Sequence, residues 1–535
     1  MEGLAAVALA LVGLLVVRAG LPPYDDAFFF VRVARNTLSA GVPAWNLADG
    51  PVYGNTSQLQ QLWATAVLAV APHHVVALSR LAAAAAVAAA FLLCPRRDIA
   101  VFVFLGPVAL ATVTTGMETA LVLGLGAAFL ASLGRGTPRG EAAAVGIGGL
   151  LYLARPDTGL LTVGTLLLTG RLGPALSLLG VVGAELVALH AVYGTPLPTA
   201  FATKLGLNDA YDATFLDRSR AAKLRHVLFF LWTLTPLLPA LFAGVRRSGP
   251  ARPLALVAAA FVAWHLAATT DVMGMHARFY APALPWLAWA AATQLADRSL
   301  DLPSGPDIPT PAVWNMWSVW LLGWACVVAG LVHNSFVPNS EGWAIGRVHP
   351  ATYVAHVAVA AWLLSRRGWP GAAMLAAVGV WLALPPQPRS GPDPSDLLGR
   401  PTPWRTDRAH ADAYAAQVTS FRGLSAVARC LPPDVQVWHS EIGVPGIVLP
   451  DAHVTDLGGL MSPPVSADHL DAVCLDERPD VLFLPHRNYR SAHRALRDGR
   501  CVGGYERVVD RGSSPMYVRA EHLPQLLPCL RDTPL

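Results

Sequence analysis

Lysine is almost absent from this chain of 535 residues: it occurs only at Lys204 and Lys223, and arginine supplies the other basic side chains. Charge of either sign is also scarce, because Asp, Glu, Lys and Arg make up 14% of the residues, whereas soluble globular domains carry about 25%. Hydrophobic residues make up 54%, and the mean hydropathy is +0.45. These values predict a polytopic α-helical membrane protein. The formal net charge of +4 is small, and we expect no nucleic-acid partner.

Familiar metal and nucleotide motifs are missing too. The sequence contains no CxxC, HExxH or phosphate-loop pattern. Its histidines at 265, 276, 333 and 349 lack metal-ligand spacing and are interpreted as ordinary residues. No cofactor is therefore predicted with certainty, and a divalent cation held by a carboxylate is left open.

Cysteine is rare, with six residues, and four of these fall in the C-terminal region. They are Cys430, Cys474, Cys501 and Cys529. If that region faces an oxidising compartment, it can contain one or two disulfides. Four cysteines allow three pairings, and the sequence leaves all three open.

Long apolar runs dominate the first 388 residues. A spanning helix needs about 20 apolar residues, and somewhat shorter ones are tolerated. About thirteen candidate spans lie near 4–18, 75–94, 99–113, 117–134, 142–154, 157–170, 173–193, 226–245, 253–270, 278–295, 313–333, 351–365 and 370–386. We interpret 4–18 as a retained first span rather than a cleaved signal peptide. Residues 59–71 begin polar and are short, which favours an interfacial or re-entrant helix.

The distribution of arginine orients these spans, because short cytoplasmic loops are rich in Arg and Lys. An inside N-terminus places most loop arginines on the inner side, at positions 96, 97, 135, 139, 171, 246, 247, 252, 366 and 367. Asp25 and Asp26, the 194–225 loop and everything after about residue 388 then fall on the outer side. We therefore predict a multi-pass protein of the plasma (inner) membrane with an extracytoplasmic site.

Two domains are predicted. Residues 1–388 form a transmembrane domain whose first outer loop, 21–74, contains amphipathic helices. Residues 389–535 form a soluble extracytoplasmic α/β domain. Its expected strands are 435–438, 454–457, 481–484 and 516–519, and its expected helices are 466–475 and 489–498.

Two adjacent carboxylates, Asp25 and Asp26, directly follow the first apolar run. A carboxylate at a membrane surface can accept a proton from a hydroxyl or bind a metal ion. Arg32, Arg35 and Asn36 follow with helical spacing, which predicts an amphipathic helix lying on the membrane. The structural alternative is that one aspartate caps this helix.

Other polar residues collect at the predicted outer ends of the spans. Lys204 stands out in a chain that otherwise uses arginine, and a compact ammonium suits a phosphate. Arg278 can reach a lipid phosphate or simply anchor its helix at the interface. Glu118 and Arg155 are candidates for either a structural salt bridge or a catalytic role.

The order of these motifs is the most specific feature. They read Asp-Asp-Ala-Phe-x-x-x-Arg-x-Ala-x-Asn at 25–36, Tyr-Gly-Asn-Thr-Ser at 53–57, Thr-Gly-Met-Glu-Thr-Ala at 115–120, Arg-Pro-Asp-Thr at 155–158, Tyr-Gly…Lys at 193–204, and Asp-Val-Met…Arg-Phe at 271–279. In this order they resemble the integral-membrane GT-C glycosyltransferases. The closest resemblance is to the subgroup that includes the terminal arabinofuranosyltransferases of mycobacterial cell walls.

The resemblance implies transfer of a sugar from a polyprenyl-phosphate donor to a glycan or lipid-linked acceptor, with membrane lipids around the protein. Asp25 or Asp26 would be the general base, or bind a cation. The residues implied to hold the donor phosphate are Lys204, Arg278, Arg32 and Arg155, with Glu118, Asp271 and Tyr24 in support. The family's Glu is replaced by Asp157, and its Gly by Thr158, so the donor sugar stays unassigned.

Two other classes of function are left open. A lipid-glycan transporter or flippase would carry polar residues at mid-span or inverted repeats, but here the polar groups lie at outer ends. A non-catalytic, glycan-binding assembly factor would not need the aspartate pair and Lys204, both of which are present.

Overall fold

The computed structural model describes three parts of the chain: residues 25–204 without 105, most of 223–297, and most of 406–531. Within the second part, 225, 232, 235–236, 247 and 270–276 lie outside the description. Within the third part, 418–420, 422–423, 463–467, 486–488 and 510–514 lie outside it.

The first two parts are helical. In chain order the helices are α1 (Ala27–Ala40), α2 (Gln58–Val70), α3 (Val75–Leu93), α4 (Arg97–Phe104), α5 (Pro107–Thr114), α6 (Thr119–Gly134), α7 (Pro138–Ala154), α8 (Gly159–Leu168), α9 (Leu172–Tyr193), α10 (Thr199–Lys204), α11 (Leu238–Arg246), α12 (Ala251–Ala268) and α13 (Leu284–Asp297). Local signals explain several ends. Ser57 accepts a hydrogen bond from the Gln60 N–H at the start of α2, and Gly41 ends α1 with a φ of 73°.

Among the described residues, three helices are long and apolar enough to cross a membrane: α3, α9 and α12. Helix α6 is apolar but shorter. The count of about thirteen spans stays a prediction, since those at 4–18, 313–333, 351–365 and 370–386 lie outside the described residues. The span expected at 99–113 forms two helices, α4 and α5, because Pro107 begins a new helix.

The long helices pack through a hydrophobic core that includes Phe91, Phe129 and Trp286. Close approach is possible where side chains are small. A Cβ on Gly124 would lie 2.8 Å from the Ala86 carbonyl oxygen, so α3 and α6 are in backbone contact there. This is the packing that small residues permit between membrane helices.

The third part contains a mixed five-stranded sheet. Its elements are α14 (Asp407–Gln417), α15 (Leu424–Ala428), β1 (Gln436–His439), α16 (Gly443–Val448), β2 (His453–Asp456), α17 (Leu470–Glu477), β3 (Val481–Phe483), α18 (Arg490–Arg497), β4 (Tyr505–Val509), β5 (Met516–Arg519) and α19 (Leu523–Arg531). The strand order is β2-β1-β3-β5-β4. Strands β2, β1 and β3 are parallel, and β5 runs antiparallel to both β3 and β4. The four predicted strands are confirmed to within a residue, and β4 is additional.

Two disulfides close this part, Cys430–Cys529 and Cys474–Cys501. They select one of the three pairings that the sequence left open. The predicted domain boundary at 388/389 lies outside the described residues and stays a prediction.

Helix α1 lies against the sheet region instead of on an open surface. Phe28 and Phe30 share a hydrophobic core with Val437, Val454 and Phe483. The polar face expected from the spacing of Arg32 and its neighbours is divided, with Arg32 and Asn36 buried and Arg35 exposed. The sequence predicts a helix lying on the membrane, but it does not predict that the sheet region packs over this helix. The residues that do so lie more than 400 positions away in the sequence.

Candidate active site

A partly open cavity lies where α1, the start of α6, the turn after α7, α10 and α12 meet. It is lined by Asp26, Phe29, Phe30, Gly54, Asn55, Thr56, Met117, Glu118, Arg155, Pro156, Asp157, Ala200, Phe201, Trp264, His265, Thr269, Arg278, Phe279 and Leu460. Six of these are charged or titratable and five are Phe or Trp. This mixture of apolar walls and a few converging polar groups is typical of a ligand site.

The two adjacent aspartates have different surroundings. Asp25 is 2% exposed, and its carboxylate accepts hydrogen bonds from the N–H groups of Gly443 (3.0 Å) and Val444 (2.7 Å). Burial, with the charge of Asp26, raises the pKa of Asp25 to about 7, although the two N–H bonds oppose the shift. Asp25 therefore joins the start of α1 to the start of α16 and does not line the cavity.

Asp26 is the aspartate that lines the cavity. Its Oδ2 accepts a hydrogen bond from Nη2 of Arg278 at 3.2 Å. The other terminal nitrogen of Arg278 lies 2.8 Å from the sulfur of Met117, and the guanidinium lies 5.1 Å from the centre of the Phe279 ring. Asp26 and Arg278, which are 252 positions apart in the sequence, thus form one ion pair in the cavity wall.

A second charged group includes a residue that sequence reasoning missed. Arg155 donates from Nε to Asp157 at 3.1 Å, and its Nη2 makes a second bond to the same carboxylate. His265 Nε2 lies 2.9 Å from Asp157 Oδ2, and its Nδ1 lies 3.2 Å from the Thr269 hydroxyl. His265 has no metal-ligand spacing in the sequence, and its partner Asp157 lies 108 residues away, so no local signal identifies it.

Arg32 is not among the residues that line the cavity. Its guanidinium donates to the backbone oxygens of Trp45 (2.8 Å), Leu449 (3.1 Å) and Ala452 (2.6 Å). Burial lowers the pKa of Arg32 to about 10. These donors bind carbonyls that connect the first loop to the sheet region, which gives Arg32 a structural role. The expectation that it holds a phosphate stays a prediction.

The sheet region reaches the cavity through the loop after β2. The buried carboxylate of Asp456 accepts hydrogen bonds from the N–H groups of Gly458 (2.7 Å), Leu460 (2.6 Å) and Met461 (2.8 Å). Burial raises the pKa of Asp456 to about 6, and the nearby charge of Asp26 adds to the shift. Leu460 lines the cavity, so this ordered loop forms part of its wall.

Three predicted site residues are not placed. Tyr24 and Asp271 lie outside the described residues, as does the side chain of Lys204, whose backbone ends α10. Among the described residues, no group of three His, Cys, Asp or Glu side chains is arranged to bind a metal ion. Arg155 pairs with Asp157, and the alternative salt bridge between Glu118 and Arg155 is not formed.

Two solved structures are similar over nearly the whole chain. ArnT from Cupriavidus metallidurans in the apo state has a TM-score of 0.55 at 15% identity, covering 96% of this chain and 97% of that one. ArnT from the same organism bound to undecaprenyl phosphate has a TM-score of 0.53 at 14% identity, with the same coverage. No family model and no curated protein matches. At this identity the likeness concerns the fold alone, and it supports the GT-C fold that the sequence predicts without reaching the arabinofuranosyltransferase-like subgroup.

Proposed function

We propose that this protein is an integral-membrane glycosyltransferase. It takes a sugar from a polyprenyl-phosphate donor and transfers it to a glycan or lipid-linked acceptor at the outer face of the membrane. The observation that carries the proposal is the contact between Asp26 and Arg278 in an aromatic-walled cavity. A base and a phosphate-binding cation are thereby held side by side.

Asp26 is the proposed general base. It accepts the proton of the acceptor hydroxyl as that oxygen attacks the anomeric carbon of the donor sugar. The bond between the anomeric carbon and the phosphate oxygen breaks, and the electron pair leaves with the polyprenyl phosphate. Attack from the face opposite the phosphate inverts the anomeric centre. Asp25 is a positioning residue here, because its carboxylate is already bonded to Gly443 and Val444.

Arg278 is the proposed donor-phosphate ligand. A guanidinium binds phosphate oxygens through paired N–H donors and stabilises the negative charge that develops on the leaving group. Arg155 lines the same cavity but is paired with Asp157. We therefore assign it a supporting role, as a positive charge in the cavity wall. Lys204 is kept as a third phosphate ligand on the sequence resemblance. The crystal structure of the similar ArnT with undecaprenyl phosphate supports this class of donor.

The finer assignment rests on the sequence. The motif order at 25–36, 115–120 and 193–204 favours the arabinofuranosyltransferase-like subgroup and hence a cell-envelope acceptor. The loop that holds Leu460 forms one cavity wall, and we propose that the sheet region contacts the acceptor there.

The test is sugar transfer by the purified full-length chain in lipid nanodiscs, with a panel of radiolabelled polyprenyl-phosphate sugars and cell-envelope glycan acceptors. Asp26→Asn removes the proton acceptor and keeps the shape, so we expect a loss of about 10²-fold or more in the rate of transfer. Asp451→Asn is the matched control, because Asp451 is exposed and pairs only with Arg35 among the described contacts. Equal rates for wild type and Asp26→Asn would contradict the role of Asp26, and no transfer by wild type from any donor would contradict the function.

A further inference from the structure

Glu118 is a buried carboxylate in the cavity wall that the proposed reaction does not use. Its residue is 5% exposed, and it lines the cavity. Its Oε2 has no hydrogen-bond partner among the described residues. It stands at the N-cap position of α6, but its side chain does not cap that helix. A buried acceptor without a partner is unfavourable, so the arrangement points to a donor group supplied by a ligand.

The other carboxylates in the cavity already have partners. Asp26 pairs with Arg278, and Asp157 pairs with Arg155 and contacts His265. Within the described parts of the chain, Glu118 makes no ion pair. As far as the described residues go, the cavity thus presents one carboxylate that is satisfied neither by a cation nor by a backbone N–H.

The turn that carries Glu118 is held in place. Thr115 accepts a hydrogen bond from the Met117 N–H at 3.1 Å through its hydroxyl, and Gly116 has a φ of 73°. The Gln60 amide donates to the Gly116 carbonyl at 3.5 Å. Because Met117 also contacts Arg278, the carboxylate is fixed on the side of the cavity where the donor phosphate is proposed to bind.

We propose that Glu118 binds a hydroxyl group of the donor sugar and so selects the donor; this rests on the proposed function. An ionised carboxylate accepts O–H hydrogens strongly. Phe201 and Trp264, whose rings stack 6.4 Å apart, offer an apolar surface on another wall of the cavity. A sugar presents both kinds of surface, hydroxyls at its edge and C–H groups on its face. A metal ion is the weaker occupant, because no three-ligand group is found among the described residues.

The experiment compares wild type with Glu118→Gln on the transferred donor and on a series of deoxy donors, each with one hydroxyl replaced by hydrogen. With the full donor we expect kcat/KM to fall by about 10- to 100-fold in Glu118→Gln, since the charged acceptor is lost. With the deoxy donor that lacks the bound hydroxyl, we expect the kcat/KM values of wild type and Glu118→Gln to agree within about threefold. The hydrogen bond between Glu118 and that hydroxyl is then absent from both proteins. A residue that only supports the fold would leave the same difference on every donor.

The matched control is Glu141→Gln, because Glu141 pairs with Arg171 at 3.1 Å and does not line the cavity. It should leave kcat/KM unchanged. Thermal unfolding midpoints of all variants show that they are folded, and Glu118→Ala gives a second removal of the carboxylate.

Two results would overturn the inference. These are equal kcat/KM for wild type and Glu118→Gln, or a difference that is the same for every deoxy donor. In each of these cases wild type still transfers sugar, so the proposed function stands. Absence of transfer by wild type overturns the proposed function itself, and this inference with it.

Discussion

Adjacent residues of the same type can have unrelated roles when they directly precede a helix, as Asp25 and Asp26 precede α1. Asp25 points to the N–H groups of Gly443 and Val444, and Asp26 points to Arg278 in the cavity. The chemical difference follows from these contacts. Asp25 is bonded to two backbone donors, whereas Asp26 pairs with the side chain of Arg278 and lines the cavity.

The raised pKa of Asp25 makes stability depend on pH. Its pKa is about 7 in the folded protein against an ordinary value of 3.8, so the folded state binds more protons than the unfolded state between these values. The stabilisation from Asp25 is therefore complete below about pH 4, falls as the pH rises, and is lost above about pH 7, with a slope of at most about 1.4 kcal/mol per pH unit. We expect the midpoint of thermal unfolding of wild type to fall between pH 6 and pH 7.

The comparison is with Asp25→Asn, whose side chain does not titrate. The fall of the thermal unfolding midpoint between pH 6 and pH 7 should therefore be absent from this variant. Asp456, with a pKa of about 6, titrates mainly below this window and is present in both proteins. The same slope in both proteins between pH 6 and pH 7 would contradict the assignment to Asp25.

The sequence points to four of the six charged or titratable residues that line the cavity, namely Asp26, Glu118, Arg155 and Arg278. It does not show which of them pair with one another. Their partners were not predictable, because Gly443 lies 418 positions from Asp25, and periodicity carries no information on contacts at that distance.

At the scale of elements, the contact between α1 and α16 depends on a missing side chain. A Cβ on Gly443 would lie 2.1 Å from the Asp25 carbonyl oxygen and 2.6 Å from Oδ1 of the same residue. The first of these atoms is backbone and cannot rotate away. Gly443 is therefore required by the close approach of the two helix starts.

Gly443→Ala should separate these helix starts. We expect a lower thermal unfolding midpoint, equivalent to about 1–3 kcal/mol, and slower sugar transfer, since Asp26 follows Asp25 directly. Gly503→Ala is the control, because a Cβ there has nothing within 4 Å. If Gly443→Ala unfolds and transfers sugar like Gly503→Ala, the close approach does not matter for either property.

Comparison of the predicted and observed strands shows where the local sequence pattern is enough to identify a strand. Strands β1, β2, β3 and β5 were found because apolar and β-branched residues are dense there. The sequence Tyr505-Glu-Arg-Val-Val509 was not recognised, since β4 lies at the sheet edge and has charged residues at two of its five positions. An edge strand is selected by its neighbour, here β5, more than by its own pattern.

At the scale of the molecule, two aspartates, one before α1 and one in the C-terminal part, join the N-terminal segments to the sheet region. Asp25 accepts the N–H groups at the start of α16, and Asp407 accepts those of Val75 and Val76 at the start of α3. Both pairs of contacts are buried. The sheet region is thus bonded to the end of a helix long enough to span a membrane, and we predict that the two lie on the same side of it.

That shared side predicts a specific labelling pattern. Asp451 in the sheet region and Arg139 at the start of α7 are both exposed, and the arginine rule puts them on opposite sides of the membrane. In intact cells, a membrane-impermeant maleimide should label Asp451→Cys and not Arg139→Cys, and both should react after lysis.

Background labelling of the native cysteines is low, because four cysteines form disulfides and Cys94 is buried. Cys94 and Cys326 are also replaced by Ala in both variants. Two stable disulfides also fit an oxidising compartment. Labelling of Arg139→Cys alone would invert the topology and move the proposed acceptor to the cytoplasm.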